Sequence, residues 1–223
     1  MNVVLLADGI VGLAITRYLI ENYKSDISLV VTTQENEILG LVKSNGLDGV
    51  IFESEEAVKK TLESRDVDIG ILAWWPYVIK DTLIDLPLRG FINTHPSFLP
   101  FNRGKHPSFW VIVEQVPYGV TIHNVNQRLD AGEILAQTEI DYDWCDTGET
   151  LYLKARQEMI ELFVNLYPSL RHGVKIKTVQ DLLKGSFHLS SEIEEATKID
   201  LDETYLGREL INKLRAKTFT GFK

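Results

Sequence analysis

Val3-Val4-Leu5-Leu6-Ala7-Asp8-Gly9-Ile10-Val11-Gly12 opens the chain with a short apolar run, an aspartate and two glycines. A run this short, ended by Asp-Gly, reads as a buried strand entering a turn. Val11, Leu13, Ala14, Tyr18 and Leu19 then recur at helical spacing, so the unit is strand, glycine turn, helix. The alternation continues down the first half, with further strand-like runs at Ile27 to Thr32, Gly49 to Phe52, Ile69 to Ala73 and Gly90 to His95. Parallel neighbours need a crossover between them, and the intervening helical patterns supply it. The fold class expected is α/β: a Rossmann-like open, mostly parallel sheet with helices on both faces. Gly9 to Gly12 lacks the full three-glycine dinucleotide fingerprint, so no nucleotide site is inferred there.

Composition narrows the function classes. The 223 residues are 44% apolar and 25% charged, which excludes disorder and fibrous structure. A formal charge of −9 argues against a general polyanion-binding surface, while a local pocket for one phosphorylated metabolite stays open. Cys145, the one cysteine, can form no internal disulfide and no cysteine-based metal site, which fits a reducing cytoplasm. The opening run has no basic flank and stops at Asp8, so it reads as a strand and not as a signal peptide or membrane span.

Beyond His95 the texture changes. Leu99 to Pro107 is dense in proline and glycine and reads as an irregular loop. A helical piece follows at Phe109 to Glu114, then two β-like runs, Tyr118 to Val125 and Ile134 to Ile140. A long helix is expected from Asp146, with the carboxylate as cap and Glu149 reaching back as in a capping box. Leu151, Ala155, Met159, Phe163, Leu166, Tyr167 and Leu170 line one face of it up to Gly173. Residues 1–173 are read as one catalytic domain and 174–223 as a small C-terminal appendage. Val174 to Leu189 has no strong period, and Leu201 to Ala216 suits a terminal helix.

Chemistry concentrates in Asn93-Thr94-His95-Pro96-Ser97 and in His123-Asn124-Val125-Asn126-Gln127-Arg128-Leu129-Asp130-Ala131-Gly132. Period two along a strand puts Asn93 and His95 on one face, at the carboxyl end where open α/β sheets hold ligands. Singly, each residue is ordinary at a strand end, and Asp-x-Gly is usually a turn. Together, an amide, an imidazole and a downstream carboxylate suit a reaction that builds charge on a carbonyl oxygen while a proton moves. The carboxylate of Asp130 would orient the imidazole and keep it protonated.

An ordered set of motifs extends this reading. Asn93-x-His95-Pro96-Ser97-x-Leu99-Pro100, Arg103-Gly104-x-x-Pro107-x-x-Trp110, Gly119-Val120-Thr121-x-His123-x-Val125 and Leu129-Asp130-x-Gly132-x-Ile134 resemble the formyltransferases that use 10-formyltetrahydrofolate. The resemblance is strongest over residues 90 to 165. It implies that Asn93, His95 and Asp130 form the catalytic trio. An acceptor amine would attack the formyl carbon, giving a tetrahedral intermediate held by Asn93 and protonated His95. No protein nucleophile or metal is then required, and Cys145 has no role. The resemblance also implies a pterin held between the loop bearing Trp75, Tyr77, Val78 and Ile79 and the loop bearing Gln127, Leu129 and Ala131. It assigns Pro96, Ser97, Arg103, Gly104, Lys105 and His123 to the acceptor side. Arg103 and Lys105 suit phosphates, although solvated loop charge is the commoner reading of such residues.

Departures within the family favour one acceptor. The turn Asp8-Gly9-Ile10-Val11-Gly12 lacks the phosphate loop of the glycinamide-ribonucleotide enzymes. An acidic chain ending at Lys223 lacks the basic C-terminal barrel of the initiator-tRNA enzymes, which disfavours nucleic acid. The expected acceptor is therefore a nucleotide-linked amino deoxysugar of the kind used for surface polysaccharides, with no membrane partner and a homodimer left open. A formyltetrahydrofolate hydrolase and a non-catalytic folate or nucleotide-sugar binder stay as rivals. Absence of an extra N-terminal domain counts against the first, and the intact trio against the second.

Overall fold

The computed structural model describes residues 1–173 and 177–220. The first half alternates strand and helix: β1 (Val3–Ala7), α1 (Gly9–Tyr23), β2 (Ile27–Thr32), α2 (Glu37–Ser44), β3 (Gly49–Ile51), α3 (Glu55–Leu62), β4 (Ile69–Ala73), α4 (Asp81–Ile84) and β5 (Phe91–His95). The second half adds β6 (Arg103–Gly104), α5 (Pro107–Glu114), β7 (Gly119–Asn124), β8 (Ile134–Glu139), α6 (Gly148–Arg171), β9 (Phe187–His188), α7 (Glu192–Ala196) and α8 (Gly207–Ala216). Seven strands form one sheet in the order β3-β2-β1-β4-β5-β7-β8. Pairing is parallel from β3 through β5 and antiparallel at β5–β7 and β7–β8. The order reverses at β1 and β4, the switch point beside which such sheets bind ligands.

Both faces are covered. Every residue of β1 and β4 is buried, as strands packed on two sides require. On one face Val11, Ile15 and Leu19 of α1 meet Leu151, Ala155, Met159, Phe163, Tyr167 and Leu170 of α6. On the other, Val58 and Leu62 of α3 and Leu83 and Ile84 of α4 pack on Val4, Leu6 and Leu72. The predicted helical face of α6 is thus the packing face, with Leu166 only partly buried at its margin.

Local differences from expectation have local causes. Thr147, not Asp146, caps α6: its hydroxyl accepts the Thr150 N–H at 3.3 Å while the Thr150 hydroxyl accepts the Thr147 N–H at 2.9 Å. Asp146 instead holds Lys154 at 2.9 Å, and Glu149 accepts the Thr220 N–H at 3.0 Å. Gly9 begins α1, and Asp8 caps it by accepting the Gly9 N–H at 2.7 Å. A carboxylate there competes with any phosphate for the helix terminus. The loop after Leu99 is not wholly irregular, since Arg103 and Gly104 pair in parallel with Phe187 and His188. The terminal helix is shorter than predicted, starting at Gly207 rather than Leu201. Ala216 at its end joins the main core. The predicted boundary at Val174 lies outside the described residues, as does the chain end at Lys223. Among the described residues no helix is long and apolar enough to cross a membrane.

Candidate active site

Register builds the centre of the site. Asn93 on β5 lies directly opposite His123 on β7, and His95 opposite Thr121. Facing positions of an antiparallel pair sit close enough for side chains to meet, and the Asn93 Nδ2 to His123 Nε2 separation is 3.4 Å. The β7–β8 connection then turns back over the strand ends and delivers Asp130, whose φ of 49° is a left-handed conformation that aspartate tolerates.

Asp130 gathers four groups. Its Oδ1 accepts from Asn93 Nδ2 at 3.2 Å and lies 3.5 Å from His123 Nε2. Its Oδ2 accepts the Gly104 N–H at 2.9 Å and lies 3.5 Å from His95 Nδ1. The other ring nitrogen of His95, Nε2, is 3.3 Å from the Asn102 carbonyl. His95 and Asp130 are both buried, at 5% and 8% exposure, so their interaction is only weakly screened by solvent.

Burial and charge act in opposite senses on this pair. Burial raises the Asp130 carboxyl, but His95, His123 and the Gly104 N–H outweigh it and hold it well below the usual carboxylate range. Burial pushes the His95 imidazole down, aided by His123 and Lys105, and Asp130 and the Asn102 carbonyl only partly offset it. Both ring nitrogens of His95 thus face acceptors, while burial acts against the charged form and sets the net direction downward.

These groups open on a cavity of about 890 Å³, within the roughly 300–1,000 Å³ of small-molecule sites. Asn93, His95, Asp130 and His123 share it with Trp75, Tyr77, Val78 and Ile79 on one wall and Gln127 and Leu129 on another. Pro96, Gly104 and Lys105 complete the predicted residues that line it, whereas Ser97, Arg103 and Ala131 do not. Arg103 turns toward the Phe187 ring, 5.9 Å from its centroid. Ser97 is buried, and its carbonyl accepts from the Thr121 hydroxyl at 2.7 Å. Lys105 reaches across the cavity and donates to the Pro76 carbonyl at 3.1 Å. Trp75 is both wall and core, packed edge-on against Phe52 with centroids 5.3 Å apart. Trp74 stacks on Tyr152, centroids 5.3 Å apart and planes 8° from parallel.

Three contributors escaped the sequence reading: the Asn102 carbonyl, the Gly104 N–H and Gln180. Gln180 donates from Nε2 to the Asp130 carbonyl at 3.0 Å and to the Gly132 carbonyl at 2.6 Å. Two are backbone groups that carry no side-chain signature, and Gln180 sits in the aperiodic stretch where no pattern marks it.

Comparison with known proteins gives the family. The formyl transferase family matches residues 16–166, and the N-formyltransferase dimerization C-terminal domain matches residues 192–223. A dTDP-4-amino-4,6-dideoxyglucose formyltransferase from Mycobacterium tuberculosis is 30% identical over 132 residues, 59% of this chain and 56% of the relative. The aligned part thus spans little more than half of that curated relative. A sugar N-formyltransferase from a Shewanella species superposes with a TM-score of 0.82 at 24% identity, covering 100% of this chain and 90% of that one. The formyltransferase PseJ from Anoxybacillus kamchatkensis, solved with UDP-4,6-dideoxy-4-formamido-L-AltNAc and tetrahydrofolate, is 26% identical with a TM-score of 0.67, covering 97% of this chain and 99% of that one. The family match covers residues 16–166, well over half of the chain, and the chain therefore belongs to the formyl transferase family.

Proposed function

We propose that the chain transfers a formyl group from 10-formyltetrahydrofolate to the amine of a nucleotide-linked amino deoxysugar. The observation that carries this reading is the convergence of Asn93, His95, His123 and the Gly104 N–H on the single buried carboxylate of Asp130 at the cavity floor. The acceptor class is supported by the curated relative, named for a dTDP-4-amino sugar, and by the PseJ complex with a formamido sugar nucleotide and tetrahydrofolate. The folate suits the apolar strip of Trp75, Val78, Ile79, Val125 and Leu129, which offers a flat bicyclic ring a dry wall. The bound folate supplies the formyl group.

In this mechanism the Asn93 amide donates to the oxygen that becomes negative as the amine adds. Neutral His95 takes the proton that the attacking nitrogen must lose. Asp130 then stabilises the imidazolium so formed, since the charge appears only 3.5 Å from Oδ2. His95 returns the proton to the folate nitrogen as the bond between that nitrogen and the formyl carbon breaks, so that tetrahydrofolate leaves and the imidazole is neutral again. Lys105, which lines the cavity beside His106 and Pro107, is the cation this reading assigns to the acceptor. A cytoplasmic location fits the substrates of this reaction, and its product suits the assembly of surface polysaccharides. Self-association through residues 192–223 is supported by the dimerization-domain match and by the exposed Leu206, Ile211 and Leu214.

Because burial depresses the His95 pKa, kcat/KM is expected to fall on the acid side with a midpoint below about 6.5, the ordinary imidazole value. The sign follows from the role: a base works deprotonated, so activity is lost as pH drops through its pKa. A midpoint at or above that value rejects His95 as the base. The direct test incubates the protein with 10-formyltetrahydrofolate and a panel of nucleotide amino sugars, following tetrahydrofolate release and acceptor mass. Gain of one formyl group on a sugar is the expected result. Formate release without an acceptor supports a hydrolase, and folate binding without turnover supports a binder; either overturns the proposal.

A further inference from the structure

The described C-terminal segment from residue 177 to 188 touches the site from two sides. Thr178 forms an antiparallel bridge with Ile134 at the start of β8, its N–H donating to the Ile134 carbonyl at 2.9 Å. Gln180, buried, then grips the Asp130 and Gly132 carbonyls. Further on, β9 lies along the loop that holds the other half of the acid–base pair. The Arg103 N–H donates to the Ser186 carbonyl at 3.1 Å and the Lys105 N–H to the His188 carbonyl at 3.0 Å. The Ser186 hydroxyl accepts the Asn102 N–H at 3.0 Å.

That loop is the one whose Asn102 carbonyl faces His95 and whose Gly104 N–H binds Asp130. Its close fit to β9 needs a glycine: a Cβ on Gly104, at φ 93°, would lie 2.1 Å from the His188 carbonyl oxygen. Glu114 on α5 anchors the assembly. Its Oε2 accepts from Asn102 Nδ2 and from the Ser186 hydroxyl, each at 2.8 Å, and its Oε1 lies 2.7 Å from His188 Nε2. The His188 ring is clamped further by Glu192 at 3.0 Å and by the face of Trp110, with centroids 3.8 Å apart.

We propose that residues 177–188 form a built-in strap that sets the geometry of the His95–Asp130 pair, with Ser186 and Gln180 as its positioning residues. Neither residue lines the cavity, so each acts through backbone groups: Ser186 through Asn102 and Arg103, Gln180 through Asp130 and Gly132. An imidazole and a carboxylate 3.5 Å apart are sensitive to small displacements of their supports.

This inference rests on the proposed transfer reaction, and its test separates the two. The ring signals of His95 are titrated by NMR in the unliganded full chain, in wild type, Ser186→Ala, Gln180→Leu and the rescue variant Ser186→Thr. Steady-state transfer is measured on the same four proteins. The groups facing His95 are Asp130, His123, Lys105 and the Asn102 carbonyl. Of these Asp130 and the Asn102 carbonyl support the protonated ring, and the Ser186 hydroxyl holds the loop of the second, so loosening it in Ser186→Ala lowers the His95 midpoint. Both loss variants are expected to drop kcat at least about tenfold with folate KM within about twofold, as loss of a supporting shell does. Ser186→Thr restores the hydroxyl and most of the rate. An unmoved His95 midpoint in Ser186→Ala overturns the strap, whether or not the rate or melting temperature falls. If wild type transfers no formyl group, the proposed function fails, while the titration still decides the strap.

Discussion

Asp130→Asn is expected to lower kcat/KM for formyl transfer at least about a hundredfold, the order seen when a charge-stabilising or proton-transfer group is lost. The isosteric amide keeps the volume of the side chain and removes its charge. It also brings an NH2 group into a site where the native carboxylate only accepts, from Asn93 Nδ2 and the Gly104 N–H. At least one of those donors then faces another donor, and the imidazolium of His95 loses the anion that stabilises it. The same substitution affects stability with a definite sign. The Asp130 carboxyl is held below its usual range in the folded protein despite burial. Its contribution is therefore fully present above the unfolded value of about 3.9 and disappears as pH falls through the folded one. Wild type and variant should differ in melting temperature at neutral pH and converge in strong acid. Retention of more than about a tenth of the wild-type kcat/KM would remove Asp130 from the mechanism.

Gly132→Ala is expected to destabilise the fold by about 2–4 kcal/mol, the range for forcing atoms into packed backbone. A Cβ there would sit 1.8 Å from the Asn124 carbonyl oxygen and 2.7 Å from its carbon. Both are backbone atoms at the end of β7, so no flexible tip can swing aside. Relief requires the β7 end and the β7–β8 connection to part, which strains the Asn124 N–H to Glu133 carbonyl bond of 2.9 Å and the grip of Gln180. Each kcal/mol lowers the midpoint of a chain this size by roughly 2–4 °C, so thermal denaturation reads the effect directly. Because Asp130 lies two residues away, transfer should fall along with stability. A melting temperature within about a degree of wild type would show that the close approach is not as tight as described.

Part of this was legible from residue order alone. Asn93 and His95 alternate with buried Thr94 along β5, so a period of two sufficed to put them on one face. The crossover pattern of Val3 to His95 likewise announced a parallel sheet, and the apolar stripe of α6 its packing side. Such features depend on neighbours within a few positions, and local geometry repeats wherever the spacing does. The cap of α6 shows where that reasoning weakens. Asp146 and Thr147 are both good capping residues, and the choice fell to Thr147 because Asp146 is engaged by Lys154 and the Asp143 N–H.

What residue order determined by itself was the kind of fold, the placing of an amide and an imidazole at one strand end, and the chemistry those groups favour. Only the tertiary structure decided how they are held and charged. It brought His123 across from β7, turned Arg103 away from the cavity, and recruited the Asn102 carbonyl, the Gly104 N–H and Gln180. It also buried His95, so that desolvation opposes the carboxylate beside it. The reason is that periodicity fixes which way a side chain points, whereas desolvation and long-range hydrogen bonds depend on what the rest of the chain packs against it.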